Sequence, residues 1–366
     1  MPTIPSSNVL RIALVLVALS AFAAACGDSD DPTDASSSSP TATASEPATT
    51  ESTTDSAPAT SLGEPETTVS ATTRIAETVY GPVEIPAAPE RVFALDEYAA
   101  ANLLSVGIEP VGVFTPYDAL VPQAILTDAG IELTDATFGQ WNFEAIAALE
   151  PDLIVLIDTQ NPAVTEQLSE IAPAVTLPFV APWRDGLSAL ADVAPDPGVL
   201  DELEATLTTR LAEIAEQIEP GTTMSVLGSG PAFGTYSLGG DSPTSDLIVE
   251  AGWERPAPQQ EPASFGAALI LSPEVLGEHD GDVLVALDGD PQFYDVAELE
   301  ALATYPSLPA VADGRVVTAD GAIWFNSDPF SAFWVTEDLA AVAAGGSPAT
   351  FDDLDERWEA YLELLG

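Results

Sequence analysis

The run Asp152–Ile157 (DLIVLI) is the feature that most constrains this chain. Its five consecutive apolar residues would point alternately to both faces of a strand, so both faces must be covered. Such a strand belongs in a parallel sheet with helices on either side. The flanking sequence agrees. Arg74–Ile85 reads as a hairpin around Gly81-Pro82, Arg91–Leu95 as a short strand, and Glu97–Val106 as a helix with Leu103 and Leu104 inward and Gly107 as its stop. Pro110–Phe114 is the next strand, and Phe143–Leu149 is a helix ended by Pro151. Pro162–Ile171 is a further helix and Ala174–Leu177 a further strand.

The alternation is then interrupted. Across Asp196–Ile218, the residues Leu200, Leu203, Leu207, Leu211, Ile214 and Ile218 recur at spacings of three and four, the signature of one long amphipathic helix. Strands and helices resume at Met224–Gly228, Gly234–Leu238, Ser245–Glu250, Asp282–Leu287 and Arg315–Ala319. Two helices, Asp328–Ala344 and Phe351–Leu365, close the chain. The expected architecture is α/β, with two lobes (residues 74–195 and 220–366) joined by a bridging helix at 196–219.

The N-terminus has the three parts of a secretory signal: a polar start with Arg11, the apolar run Ile12–Ala25, and small residues before Cys26. Leu19–Cys26 resembles a bacterial lipobox, with Ala23 where leucine is usual. This implies removal of residues 1–25 and a diacylglycerol thioether on Cys26. The protein is then extracytoplasmic, lipid-anchored to the outer face of the cell membrane. A soluble secreted protein and an uncleaved anchor are the other readings, and Ile12–Ala25 is short for a hydrocarbon core of ~30 Å. Cys26 is the only cysteine, so no intrachain disulfide can form. Residues 26–73 are Ser, Thr, Ala, Pro and acid without an aromatic, Lys or Arg side chain, and read as a disordered leash.

The chain carries 59 acidic residues against 8 arginines and no lysine. Nucleic acid is excluded as a partner, because phosphate binding needs clustered cations. The acidity fits a soluble, self-repelling monomer outside the cell. It also makes any cation in a cleft conspicuous.

Three ordered segments carry a family resemblance in the first half: Pro89-Glu90-Arg91-Val92, Asn142–Val155 (NFEAIAALEPDLIV) and Leu168–Pro173 (LSEIAP). The second half adds Leu271–Leu276 (LSPEVL), Asp282–Val285, Leu308–Val311 (LPAV), Gly314-Arg315-Val316 and Trp324-Phe325. In order and spacing these resemble the substrate-binding proteins of ferric-siderophore and cobalamin importers of the ATP-binding cassette type. The resemblance covers nearly all of residues 74–365. It implies two Rossmann-like lobes joined by one long rigid helix, with the ligand in the cleft between them. The partners it implies are a ferric siderophore, an ABC permease with its ATPase, and the membrane through the lipid anchor. It implies no cofactor and no catalysis.

The residues bear on the ligand by exclusion. His279 is the only histidine and reads as a solvated helix-end residue, so neither a multi-His metal site nor a Ser-His or Cys-His catalyst can be assembled. Gly228-Ser229-Gly230-Pro231 is neither a nucleophile elbow nor a phosphate loop. What remains is stacking and arginine chemistry, suited to a large flat chelate. Ligands of α/β lobes sit at strand carboxyl ends. The candidates placed there are Tyr98, Trp141, Trp183, Arg184, Phe233, Tyr236, Phe293, Tyr294, Trp324 and Phe325. Arg184 and Arg255 read as loop cations, and Arg74 is a third within reach. So few cations favour a neutral or cationic hydroxamate chelate over an anionic catecholate. Cobalamin or haem on the same fold is the alternative ligand; a surface-anchored hydrolase is the alternative of another class. The resemblance further implies that Glu144 and Glu274, at equivalent places in the two lobes, pair with arginines of the permease. As first-turn acids they would also favour their own helices.

Overall fold

The computed structural model describes residues 73–263 and 266–365. Cys26, the signal and nearly all of the leash lie outside the described residues. Thr73, assigned above to the leash, opens the first strand. Strands β1 (Thr73–Ala76) and β2 (Val83–Pro86) pair antiparallel as a separate hairpin.

The first lobe runs β3 (Val92–Ala94), α1 (Glu97–Ser105), β4 (Gly112–Thr115), α2 (Leu120–Asp128), β5 (Leu133–Asp135), α3 (Phe143–Ala148), β6 (Leu153–Ile157), α4 (Pro162–Ser169) and β7 (Ala174–Leu177). Its five strands form a wholly parallel sheet in the order β5-β4-β3-β6-β7. All five residues of β6 are buried, as the DLIVLI run requires. Leu103 of α1 is fully buried, whereas Leu104 is only partly covered.

Two helices follow, α5 (Trp183–Ala191) and α6 (Gly198–Ala215). The second is the bridging helix, with Leu200, Leu203, Leu207, Leu211 and Ile214 buried. It is shorter than its sequence pattern: Ile218 lies beyond it, and Gly221 follows with φ +86°.

The second lobe contains β8 (Met224–Gly230), β9 (Gly234–Leu238), α7 (Pro243–Glu250), β10 (Ala268–Ile270), β11 (Val283–Asp288), α8 (Val296–Glu300), α9 (Pro309–Ala312), β12 (Val316–Asp320) and α10 (Gly321–Phe325). Its sheet order is β10-β9-β8-β11-β12. Only β8, β11 and β12 are mutually parallel; β9 pairs antiparallel with both β8 and β10. The simple strand–helix alternation expected for this half is therefore corrected. Three residues separate β8 from β9, enough for a hairpin but far short of a parallel crossover.

Helix α11 (Pro329–Ala343) packs on α6, and the last helix, α12 (Leu354–Leu365), packs on both α6 and α2. The C-terminal segment thus returns to the first lobe. One continuous apolar core includes Leu103, Leu177, Leu207, Val226, Trp324, Phe330 and Tyr361, so the lobes share packing as well as a helix.

Candidate functional site

Ile157 and Leu177, at the carboxyl ends of β6 and β7, meet Asn326, Ser327 and Asp328 of the second lobe at a seam. Asp96 caps α1 by accepting from the Ala99 amide at 2.8 Å, and its other oxygen accepts from the Ile157 amide at 2.8 Å. This ties the ends of β3 and β6 together. Glu97 accepts from the amides of Tyr117 at 3.2 Å and Ala119 at 3.0 Å, fixing the loop after β4.

That framework sets out a row of aromatic rings on the first lobe. Tyr98 and Tyr117 lie 5.8 Å apart between centroids, Tyr117 and Phe138 5.4 Å, and Phe138 and Trp141 5.8 Å. All four are partly exposed. The second lobe supplies a cluster centred on Phe233, which lies 5.5 Å from Phe293, 5.8 Å from Tyr236 and 6.3 Å from Phe325, nearly parallel to the last. The glycines that were neither elbow nor phosphate loop serve this cluster. A Cβ on Gly228 would lie 2.3 Å from the Tyr236 ring, and one on Gly230 would meet the Phe293 backbone at 2.7 Å.

Where the lobes meet, Tyr98, Asn102, Ile157, Phe179, Asn326, Ser327 and Asp328 line a narrow crevice with a cavity volume of about 20 Å³. Tyr98 of the first lobe and Asn326 of the second both line it. The Asn102 amide nitrogen donates to Asp328 at 2.6 Å, and the Ser327 hydroxyl donates to the Phe179 carbonyl at 3.3 Å. Gly186 of α5 passes so close that an added Cβ would lie 2.2 Å from the Ser327 carbonyl oxygen. Burial raises the Asp96 carboxyl to about 6, and the Glu97 and Asp328 carboxyls to about 7, against the bonds that hold their ionised forms.

Several expected ligand contacts need correction. Trp183 is 1 % exposed at the start of α5, and its indole nitrogen points to Glu250. Trp324 is 0 % exposed, with its indole donating to Asp338 at 2.9 Å. Tyr236 is wholly buried and Phe325 almost so, which leaves them as backing for Phe233 and Phe293. Arg184 lies on α5 rather than in a loop, stacked on Trp183 and paired with Glu250 and with Glu204 at 2.9 Å. Arg255 is buried, donating to the Leu238 carbonyl at 3.0 Å and to Gln259 at 2.6 Å; burial lowers it to about 9. Arg74 donates to the carbonyls of Val193 and Ala194. His279 is buried against Ser237 rather than solvated. Tyr98, Trp141, Phe233 and Phe293 keep partly open rings, while Tyr294 is nearly closed off.

Tyr117 and Phe138 are not among the residues that the sequence alone singles out. Tyr117 was recoverable, since it follows a recognised strand. The remaining arginines are also engaged: Arg91 with the Glu150 carbonyl, Arg210 with Glu337, Arg315 with Asp313 and Arg357 with Asp338. Among the described residues, no arginine lines the crevice. Glu144 and Glu274 are exposed, Glu144 in the first turn of α3 and Glu274 in the 3₁₀ turn Pro273–His279.

Two α/β lobes on a bridging helix, each carrying partly open aromatic rings, have the architecture of extracytoplasmic solute-binding proteins. Residues 134–322 match the family described as periplasmic binding protein, and the chain belongs to that family. It is 28 % identical over 259 residues to the putative ABC transporter substrate-binding lipoprotein YhfQ of Bacillus subtilis, covering 67 % of this chain and 80 % of that one. It is 30 % identical over 189 residues to the probable siderophore-binding lipoprotein YfiY of the same organism, covering 48 % and 55 %. The fold is shared with the periplasmic catecholate-siderophore binding protein VctP of Vibrio cholerae, at a TM-score of 0.60 and 19 % identity over 74 % of this chain and 99 % of that one.

Proposed function

We propose that this protein captures a ferric siderophore of neutral or cationic charge, a hydroxamate type, and hands it to an ABC importer. The observation that carries this reading is a set of partly open aromatic rings on each lobe, together with arginines that are each bonded to an acid or a backbone carbonyl elsewhere. An anionic tris-catecholate brings charge that nothing in such a cleft would balance, and the chain's 59 acids would repel it. A chelate whose ligand oxygens are already neutralised by iron needs apolar and π surface instead. The fold likeness to a catecholate binder does not bear on ligand charge at 19 % identity. Tyr98, Trp141 and Phe233, joined by Tyr117, Phe138 and Phe293, are the proposed ligand contacts. The test is titration with a ferric trihydroxamate, read by tryptophan fluorescence. Saturable quenching with a Kd below about 1 μM is expected, and no quenching would contradict the reading.

The relatives named as lipoproteins support anchoring through Cys26. Delivery is proposed to use Glu144 and Glu274, both exposed and outside the crevice. Reversing either to Arg should leave chelate affinity unchanged and abolish uptake of labelled iron in cells, because each would oppose a permease arginine. In the same cells Cys26→Ser should release the protein into the medium. Normal uptake in both reversals, or retention of Cys26→Ser on the membrane, would reject the corresponding assignment.

A further inference from the structure

The β1–β2 hairpin belongs to neither lobe's sheet, yet it is pinned along the edge of the cleft. The Glu77 amide donates to Asp192 at 2.7 Å, and the Val79 amide donates to the Thr176 carbonyl at 3.3 Å, near the carboxyl end of β7. The Tyr80 hydroxyl donates to Asp158 at 2.5 Å, and Asp158 is the first residue past β6. These strand ends are where a parallel α/β sheet presents its ligand. The turn itself is stiff: the Thr78 hydroxyl donates to the Gly81 carbonyl and accepts from the Tyr80 amide, with Gly81 at φ +107°.

So fixed, the turn still leaves Val79 46 % and Tyr80 42 % exposed. A tyrosine whose hydroxyl is held by a carboxylate while its ring stays open is pre-oriented for stacking. Asp158 is itself positioned, since it accepts from the Gln160 amide at 2.8 Å. Tyr80 thus stands at the carboxyl ends of β6 and β7, on the lobe that carries the aromatic row.

Resting on the hydroxamate reading above, we propose that Tyr80 is a specificity-determining residue, its ring extending the first lobe's aromatic wall onto the outer face of the bound chelate. Asp158 is the positioning residue that holds it there. The hairpin is then part of the site.

The experiment titrates the protein and its Tyr80→Phe, Tyr80→Leu and Tyr80→Ala variants with ferrioxamine B, a linear ferric trihydroxamate, by tryptophan fluorescence. Thermal unfolding of each variant is followed in parallel. Loss of the ring should weaken binding about tenfold in Tyr80→Leu and Tyr80→Ala, whereas Tyr80→Phe should stay within about threefold, the scale of one aromatic contact against one hydrogen bond. The apolar bulk of leucine preserves the hairpin's packing, so an affinity loss in Tyr80→Leu at an unchanged unfolding midpoint supports the proposal. Wild-type affinity in Tyr80→Leu, or an equal loss in Tyr80→Phe and Tyr80→Leu, overturns it. Failure of the wild-type protein to bind ferrioxamine B at all overturns the hydroxamate reading and this proposal together.

Discussion

Phe233→Ala is expected to weaken ferric trihydroxamate binding by ~1–3 kcal/mol, the range for truncating a buried aromatic anchor. Phe233 is the hub of the second lobe's cluster, touching Tyr236, Phe293 and Phe325. It is partly open, whereas Tyr236 and Phe325 are closed behind it. Trp324→Phe gives the contrast. It removes the indole donor to Asp338, a buried carboxylate that also pairs with Arg357 at 3.1 Å. The loss should cost ~1–3 kcal/mol of stability and leave affinity unchanged. Isothermal titration and urea unfolding of both variants separate the two roles. A loss of affinity in Trp324→Phe without a loss of stability would return that tryptophan to the ligand site.

Stability is expected to fall as pH rises from 5 to 8, against the usual expectation for an acidic protein. Asp96, raised to about 6, and Glu97 and Asp328, raised to about 7, all prefer the proton in the folded state. A raised carboxyl contributes stability that is fully present below its unfolded value near 4 and is lost as pH rises through its folded value. The window set by these three groups runs from about pH 4 to about pH 7. Each tenfold gain in proton affinity on folding corresponds to ~1.4 kcal/mol, so the three together contribute several kcal/mol. Mutual repulsion among the surface acids acts in the same direction. Buried His279, with its pKa lowered by burial, acts in the opposite one, since its contribution is lost as pH falls. Asp246, Asp320 and Asp338, also raised by burial, add to the first three and outweigh it. Urea midpoints at pH 5.5 and pH 8 decide the matter, and a higher midpoint at pH 8 would show that these carboxyls are solvated in the folded protein.

The framework was legible because it depends on periodicity. The five buried residues of β6 and the five inward-facing apolar residues of α6 announce themselves by spacing alone. Helix α2 and strand β5 were not read, since Pro122 interrupts the first and the second is only Leu133-Thr134-Asp135. The antiparallel pairing of β9 was missed because periodicity identifies a strand but not its partner. The site was half legible for a related reason. Trp183 and Trp324 sit in the right loops by sequence, but which way an aromatic ring turns is decided by the neighbours it meets. For these two the neighbours are Glu250 and Asp338, in the core. Arg184 was misplaced because a helix starting immediately after Pro182 has no side-chain cap to announce it. The shared core of the two lobes was hidden too, since α12 returns to α2 across most of the chain's length. That packing, added to the bridging helix, is expected to limit the lobes to a small rocking motion on loading, and unequal small-angle scattering radii of the free and loaded protein would contradict it.

The central claim is that aromatic surfaces on two lobes, with every described arginine bonded elsewhere, select chelates by charge. Isothermal titration of one protein sample with a ferric trihydroxamate and with a trianionic ferric tris-catecholate, at low and high salt, tests it directly. The account predicts hydroxamate binding that changes little with salt, and no catecholate binding at low salt, where repulsion is least screened. Tighter binding of the catecholate, weakened by added salt, would contradict it and would mean that arginines now held by Glu204, Glu250 and the backbone turn into the cleft when ligand arrives.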